Sequence, residues 1–181
     1  WSSDVCSSDL YLLLAEARRM VGSSLGLAED LREIFTRMAF NILIDTLHRF
    51  VHERLIPAEE EVVATDEIPA PILKEMRELG LFGLAIPTEY GGLGLTAEEE
   101  VLTSMETCQA SPAFRSITGT NNGIGSQGIV IDGTPEQKKK YLPRLATGEL
   151  IGSFALTEPG AGSDAGSLTT NARRDGDHYV I

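Results

Sequence analysis

Apolar residues recur at three- and four-residue steps through Leu31, Ile34, Phe35, Met38 and Ile42, and again at Leu47, Phe50, Val51 and Leu55, which lays them along one stripe of a helix. Pro57 is expected to end it. Ile72, Leu73, Met76 and Leu79 mark a second amphipathic helix, with Gly80 where a left-handed cap is preferred. A third opens on the capping-box pair Thr96 and Glu99 and continues through Val101, Leu102, Met105 and Cys108, the last expected to pack as a small hydrophobe. Small and apolar residues from Ala113 to Ile131 make a fourth, so rich in Gly and Ser that another surface must approach it closely. Thr134, Pro135 and Gln137 supply the N-cap, first-turn proline and capping-box partner of a fifth, which runs to about Leu145 and stops by Gly148.

Beyond Gly148 the period changes. Ile151 to Leu156 and Leu168 to Arg173 suit strands, and Asp175-Gly176 is a hairpin-turn signal leading into a third over His178 to Ile181. The pattern therefore predicts a mainly α chain: an all-helical unit over residues 11–148, then the first strands of a β-unit over 149–181. A sheet cannot close on half a strand, so the β-unit is expected to be truncated. Residues 1–10, WSSDVCSSDL, carry Ser-Ser-Asp twice and neither an initiator Met nor a basic n-region. Val5 to Leu10 can be back-translated into the end of a sequencing-library adapter, so the stretch is expected to be a read-assembly artefact or a disordered tail.

Composition narrows the function classes. A net charge of −12 over 181 residues disfavours nucleic acid and anionic lipid as partners, and the Lys138 to Lys140 cluster reads as a solvated helix face. Two cysteines, Cys6 and Cys108, indicate no disulfide framework and fit a reducing compartment. No apolar run approaches the roughly 20 residues of a membrane-spanning helix. His48 and His52 stand four apart, as metal ligands can, but no third ligand accompanies them, and Glu59 to Glu61 read as a solvated run rather than paired acids. No metal site is expected.

The chemistry concentrates in Phe154 to Asp164, FALTEPGAGSD. An apolar stretch breaks into Thr-Glu-Pro and then Gly-Ala-Gly-Ser-Asp. Pro159 fixes one backbone angle, Gly160 and Gly162 permit positive φ, and Thr157, Ser163 and Asp164 add polar groups beside exposed amides. Such a loop suits a bulky anionic cofactor.

In this run the chain resembles the acyl-CoA dehydrogenase family of flavoproteins, whose signature has the same aromatic residue, Thr-Glu-Pro and Gly-Ser-Asp in order. Leu79 to Leu95, LGLFGLAIPTEYGGLGL, and Asn121 to Gly133, NNGIGSQGIVIDG, followed by TPEQK and YLPRLATGE, are similar to further family strings in order and spacing. The resemblance covers about Leu47 to Ile181. It implies an N-terminal helical domain of that family followed by the start of a β-barrel-like middle domain, and FAD-dependent oxidation of an acyl-CoA to its trans-2-enoyl form. Phe154, Ala155, Leu156, Thr157, Gly162 and Ser163 are implied to hold FAD, and Ser163, Thr120, Asn121 and Ile124 to meet the substrate. No residue matches the family's catalytic base, a Glu of the C-terminal bundle expected beyond Ile181, so this chain alone is expected to be inactive. The resemblance further implies electron-transfer flavoprotein as acceptor, a homo-oligomer, and a cytoplasmic location, or the mitochondrial matrix in a eukaryote. An acyl-CoA oxidase or flavin monooxygenase of the same superfamily, or a non-catalytic helical assembly module, are the alternative readings.

Overall fold

The computed structural model describes residues 29–181; residues 1–28, with the expected artefact or tail, lie outside the described residues. Helix α1 spans Glu29–Phe50 and passes without a break into a π-helical turn, Val51–Leu55, a 3₁₀ turn, Ile56–Ala58, and helix α2, Glu59–Thr65. Pro57 does not stop the helical path. It sits in the 3₁₀ turn at the entry to α2, where a missing N–H costs little. Asp66, in the left-handed region at φ 58°, makes the stop instead.

Helix α3, Ala70–Glu78, ends as expected at Gly80, with φ 70°. Leu79 to Leu95 then doubles back on itself: Leu93 N–H donates to the Gly83 carbonyl, Gly94 to Ile86 and Leu95 to Leu84, at 2.8 to 2.9 Å. Gly92 is obligatory there, because a Cβ would lie 2.0 Å from the Ile86 carbonyl oxygen. The doubled loop puts Leu79, Leu81, Phe82, Leu84, Leu93 and Leu95 into the core beside Leu47, Val51, Leu55, Met76 and Phe114.

Helix α4, Ala97–Thr107, carries the complete Thr96/Glu99 capping box. It packs against α1, and His48 Nδ1 lies 3.0 Å from Glu106 Oε2 between them. The apolar stripes of these two helices do not all face inward. Ile34, Met38 and Ile42 of α1, and Val101, Leu102 and Met105 of α4, are 42 to 63% exposed, and Cys108 is exposed too. Instead α4 buries Thr103 and Thr107, whose hydroxyls donate to carbonyls of their own helix and so enter the core satisfied. Periodicity reveals a stripe, not the neighbour it faces.

The fourth expected helix is two. Helix α5, Pro112–Asn122, is capped by Ser111, and α6 spans Gln127–Asp132, with Gly123 at φ −90°, ψ −110° breaking the path between them. Helix α7, Pro135–Ala146, has the full Thr134/Gln137 capping box and ends at Gly148. Ile86, Leu142, Leu145 and Ala146 form a second apolar cluster under it. The first strands are β1, Arg173–Asp175, and β2, His178–Val180, an antiparallel hairpin with Arg174 opposite Tyr179 and Gly176 at φ 59° in the turn. Up to Ala146 the regular structure of the described chain is helical, and no strand precedes Arg173 among the described residues. No helix of the described residues is long and apolar enough to cross a membrane.

Candidate functional site

The segment leaving α7 is held at two points and open between them. At the first, Gly152 N–H donates to Asn121 Oδ1 at 2.8 Å. Its backbone there lies against that of Gly125, so close that a Cβ on Gly152 would meet Gly125 Cα at 2.8 Å. The expected close approach to the Gly-rich stretch is therefore made by the chain's own next segment. At the second point, Glu158 and buried Ala161 exchange main-chain hydrogen bonds of 2.8 and 3.1 Å around Pro159-Gly160.

Between these anchors Phe154, Ala155, Leu156 and Thr157 are exposed, and no hydrogen bond among the described residues occupies their main-chain groups or the Thr157 hydroxyl. Ile151 to Leu156 and Leu168 to Ala172 were expected as strands and are not. A strand exists only with a hydrogen-bonded partner, and the described residues supply one only for Arg173 onward. Gly160 and Gly162 are also not in the left-handed region. Their contribution is clearance: nothing lies within 4 Å of a Cβ built on Gly160, and only Thr157 Cγ2, at 3.7 Å, near one on Gly162. Ser163 is exposed beside them, its hydroxyl without a partner among the described residues. Phe154, Ala155, Leu156, Thr157, Gly162 and Ser163 thus present a continuous open edge of amides, hydroxyls and one aromatic face, as a planar polar cofactor requires.

Glu158 has a different task. Its carboxylate accepts from the Thr170 amide at 2.7 Å and from the Thr169 amide and hydroxyl at 2.8 Å each, and these bonds from Thr170 and Thr169 lower its pKa to about 2. The clamp folds the chain after Ala161 back onto the turn. Because the folded-state pKa is depressed below the ordinary 4.5, the clamp's stabilisation is present above pH 4.5 and is lost as pH falls toward about 2. Amide shifts of Thr169 and Thr170 followed by NMR are expected to titrate with a midpoint near 2; a midpoint near 4.5 would show that the clamp does not form.

Helix α5 presents the second part of the site. Asn121 is fully buried: its Nδ2 donates to the Phe82 and Leu145 carbonyls, both at 2.9 Å, while Oδ1 takes the Gly152 amide. Asn122 does the same one residue on, donating to the Leu81 and Thr118 carbonyls and accepting from the Ala85 amide. With its amide committed to main chain, Asn121 positions the segment rather than offering polar atoms to a ligand. Thr120 is half-buried, and its carbonyl accepts from the Gly125 amide; Ile124 is 59% exposed.

Between α4 and α5 lies a cavity of about 140 Å³, floored by Leu81 and Leu84 and walled by Glu100, Thr103, Arg115 and Thr118 among others. It reaches Gly123, the end of α5 next to the Gly125–Gly152 contact. Burial raises the pKa of the Glu100 carboxyl. Sequence reasoning missed Asn122, Glu100 and Arg115. The adjacent asparagines at a helix end were a visible signal, whereas nothing in the pattern showed which face of α4 turns toward α5. Among the described residues no three His, Cys, Asp or Glu side chains converge as metal ligands, and the exposed His48 and His52 rings meet at 4.4 Å between centroids, tilted by 52°.

Comparison with known proteins places these features. A profile of the "Acyl-CoA dehydrogenase, N-terminal domain" matches residues 40–149. An acyl-CoA dehydrogenase of Bacillus subtilis is 39% identical over 132 residues, covering 73% of this chain and 35% of the relative. The mitochondrial isovaleryl-CoA dehydrogenase of Bos taurus is 38% identical over 141 residues, covering 77% and 33%. A crystal structure of an acyl-CoA dehydrogenase complexed with FAD from Bacillus anthracis superposes with a TM-score of 0.70 at 41% identity, over 78% of this chain and 24% of that one. The chain spans about a third of the length of these curated relatives.

Proposed function

The chain belongs to the acyl-CoA dehydrogenase family, and on that premise we propose that the whole protein oxidises an acyl-CoA thioester between Cα and Cβ to the trans-2-enoyl thioester. FAD, when bound, supplies the hydride acceptor. The observation that carries this reading is the open run Phe154 to Thr157, anchored on Asn121 through Gly152 at one end and on the Glu158–Ala161 turn at the other. Free amides and the Thr157 hydroxyl on this edge are the donors that stabilise negative charge on a reduced ring system, and being held in advance they cost no reorganisation during reaction. Phe154 and Leu156 provide the apolar face beside them, and clearance at Gly160 and Gly162 lets a ligand approach the backbone. Ser163 stands where the same loop meets the CoA side of the substrate.

The α4–α5 cavity takes the acyl group, which leaves Gly123 toward the thioester and the cavity floor toward the chain's far end. The proton at Cα needs a carboxylate of ordinary or raised pKa close to it. Glu158 does not fit, since its three hydrogen bonds hold it near 2 and spend its lone pairs. As the family resemblance implies, the base is a Glu of the C-terminal bundle outside this chain, and electron-transfer flavoprotein is the proposed electron acceptor.

The test is Thr157→Val in the whole protein. Valine keeps the shape and removes the hydroxyl, whose bond to a charged acceptor contributes about 1.5–3 kcal/mol, or about 10- to 100-fold in cofactor retention or flavin reduction rate. Flavin content by absorbance and stopped-flow reduction by an acyl-CoA read both. Wild-type values for the two would remove Thr157 from the site, and a whole protein that purifies without flavin and takes up none would overturn the reading.

A further inference from the structure

The polar groups of the open edge divide into two arms fastened by different bonds. Thr157 belongs to the first, held by the Asn121–Gly152 bond before it and by the main-chain exchange between Glu158 and Ala161 after it. Ser163 belongs to the second, residues 162–170, which leaves buried Ala161 and comes back beside the turn. The tip of this arm is stitched only to itself: the Ser167 hydroxyl donates to the Asp164 carboxylate, and the Ser167 amide to the Asp164 carbonyl at 3.1 Å. Among the described residues, the hydrogen bonds that join residues 162–170 to the chain before Ala161 are the three accepted by the Glu158 carboxylate. Its two oxygens take different residues, Oε1 the Thr170 amide and Oε2 the Thr169 amide and hydroxyl.

Resting on the dehydrogenase reading above, we propose that Glu158 is a positioning residue that fixes the Ser163 arm for the CoA portion of the substrate, while the Thr157 arm that meets the flavin is fixed without it. Donors on consecutive residues set the direction of the returning chain as well as its distance, so the loop between them carries Ser163 in one orientation. Bonds to an ionised acceptor are the stronger kind, and this carboxylate is ionised throughout the neutral range. Packing adds little, since nothing lies within 4 Å of a Cβ on Gly160 and only Thr157 Cγ2, at 3.7 Å, near one on Gly162. Without the carboxylate the arm is therefore free to swing about Ala161. If Ser163 is in place in only a fraction of molecules, the apparent affinity for substrate falls by that fraction, while molecules already bound react as before.

The experiment uses the whole flavin-loaded protein and two thioesters of one acyl group, one on CoA and one on N-acetylcysteamine, which keeps the reacting atoms and lacks most of CoA. Glu158→Ala is expected to raise KM for the acyl-CoA about 10-fold, with kcat and flavin content at wild-type values, and to leave kcat/KM for the truncated thioester unchanged. Glu158→Gln, which keeps one acceptor oxygen, and Thr169→Val, which removes one donor and no main-chain bond, are expected to fall between wild type and Glu158→Ala, and they decide the matter if the alanine variant does not fold. If the acyl-CoA bleaches the wild-type flavin and its KM is the same in the variants, the positioning proposal alone fails. It fails too if flavin is lost or both thioesters suffer equally, since the carboxylate would then support the whole edge and not the CoA arm. If neither thioester bleaches the wild-type flavin, the dehydrogenase reading fails and the positioning proposal with it.

Discussion

Asn121→Leu is expected to destabilise the chain by about 2–6 kcal/mol, because it leaves the Phe82 carbonyl and the Gly152 amide unpaired, each costing about 1–3 kcal/mol, and leaves the Leu145 carbonyl with the Gly148 amide alone. Leucine nearly matches asparagine in size, so the loss comes from hydrogen bonding and not from a cavity. Against a total stability of about 5–15 kcal/mol for a domain this is a large fraction. The effect also has a direction. Phe82 and Leu145 belong to the helical core, whereas Gly152 opens the run to Thr157, so the variant is expected to release that run first. Hydrogen exchange at the Gly152 amide should pass from protected to fast, alongside a lower urea midpoint by circular dichroism. A midpoint shift worth under about 1 kcal/mol with Gly152 still protected would show that the three bonds are not formed together.

Those bonds explain what the sequence could and could not disclose. The helices were legible because their signals are local: Thr96 with Glu99, Thr134 with Pro135 and Gln137, and Gly80 and Gly148 as stops each act within one turn. The DG hairpin was legible for the same reason. Errors gathered where a distant partner decides. Pro57 would end an isolated helix, yet the chain turns through it by changing from α to π and 3₁₀ hydrogen bonding. Ile34, Met38, Ile42, Val101, Leu102 and Met105 have the right spacing for a core and lie outside it, since threonines that satisfy their own hydroxyls occupy the inward face of α4. Ile151 to Leu156 has strand composition without a ladder partner among the described residues. For the site, the motif located the open edge at Phe154 to Thr157, while Asn121, expected to touch substrate, is the residue that holds this edge to the core.

Phe82→Ala is the second large effect, at about 3–5 kcal/mol. Phe82 is fully buried, and removing its ring combines lost burial with a cavity that a loop pinned on both sides cannot close. On one side Gly148, at φ 70°, lies so near the ring that a Cβ would come within 2.8 Å of it. On the other, a Cβ on Gly83 would meet the Ala146 carbonyl oxygen at 2.9 Å, leaving no play between this loop and the end of α7. Phe82 also contributes the carbonyl that receives Asn121, so its two substitutions share a structure and should not add. Once the ring is lost and the loop shifts, part of what Asn121 stabilises is already gone. The double variant Phe82→Ala with Asn121→Leu is therefore expected to fall short of the sum of the single losses by about 0.5–3 kcal/mol. Urea unfolding of the four proteins measures this directly, and strict additivity would mean that the Phe82 loop holds its place without its ring.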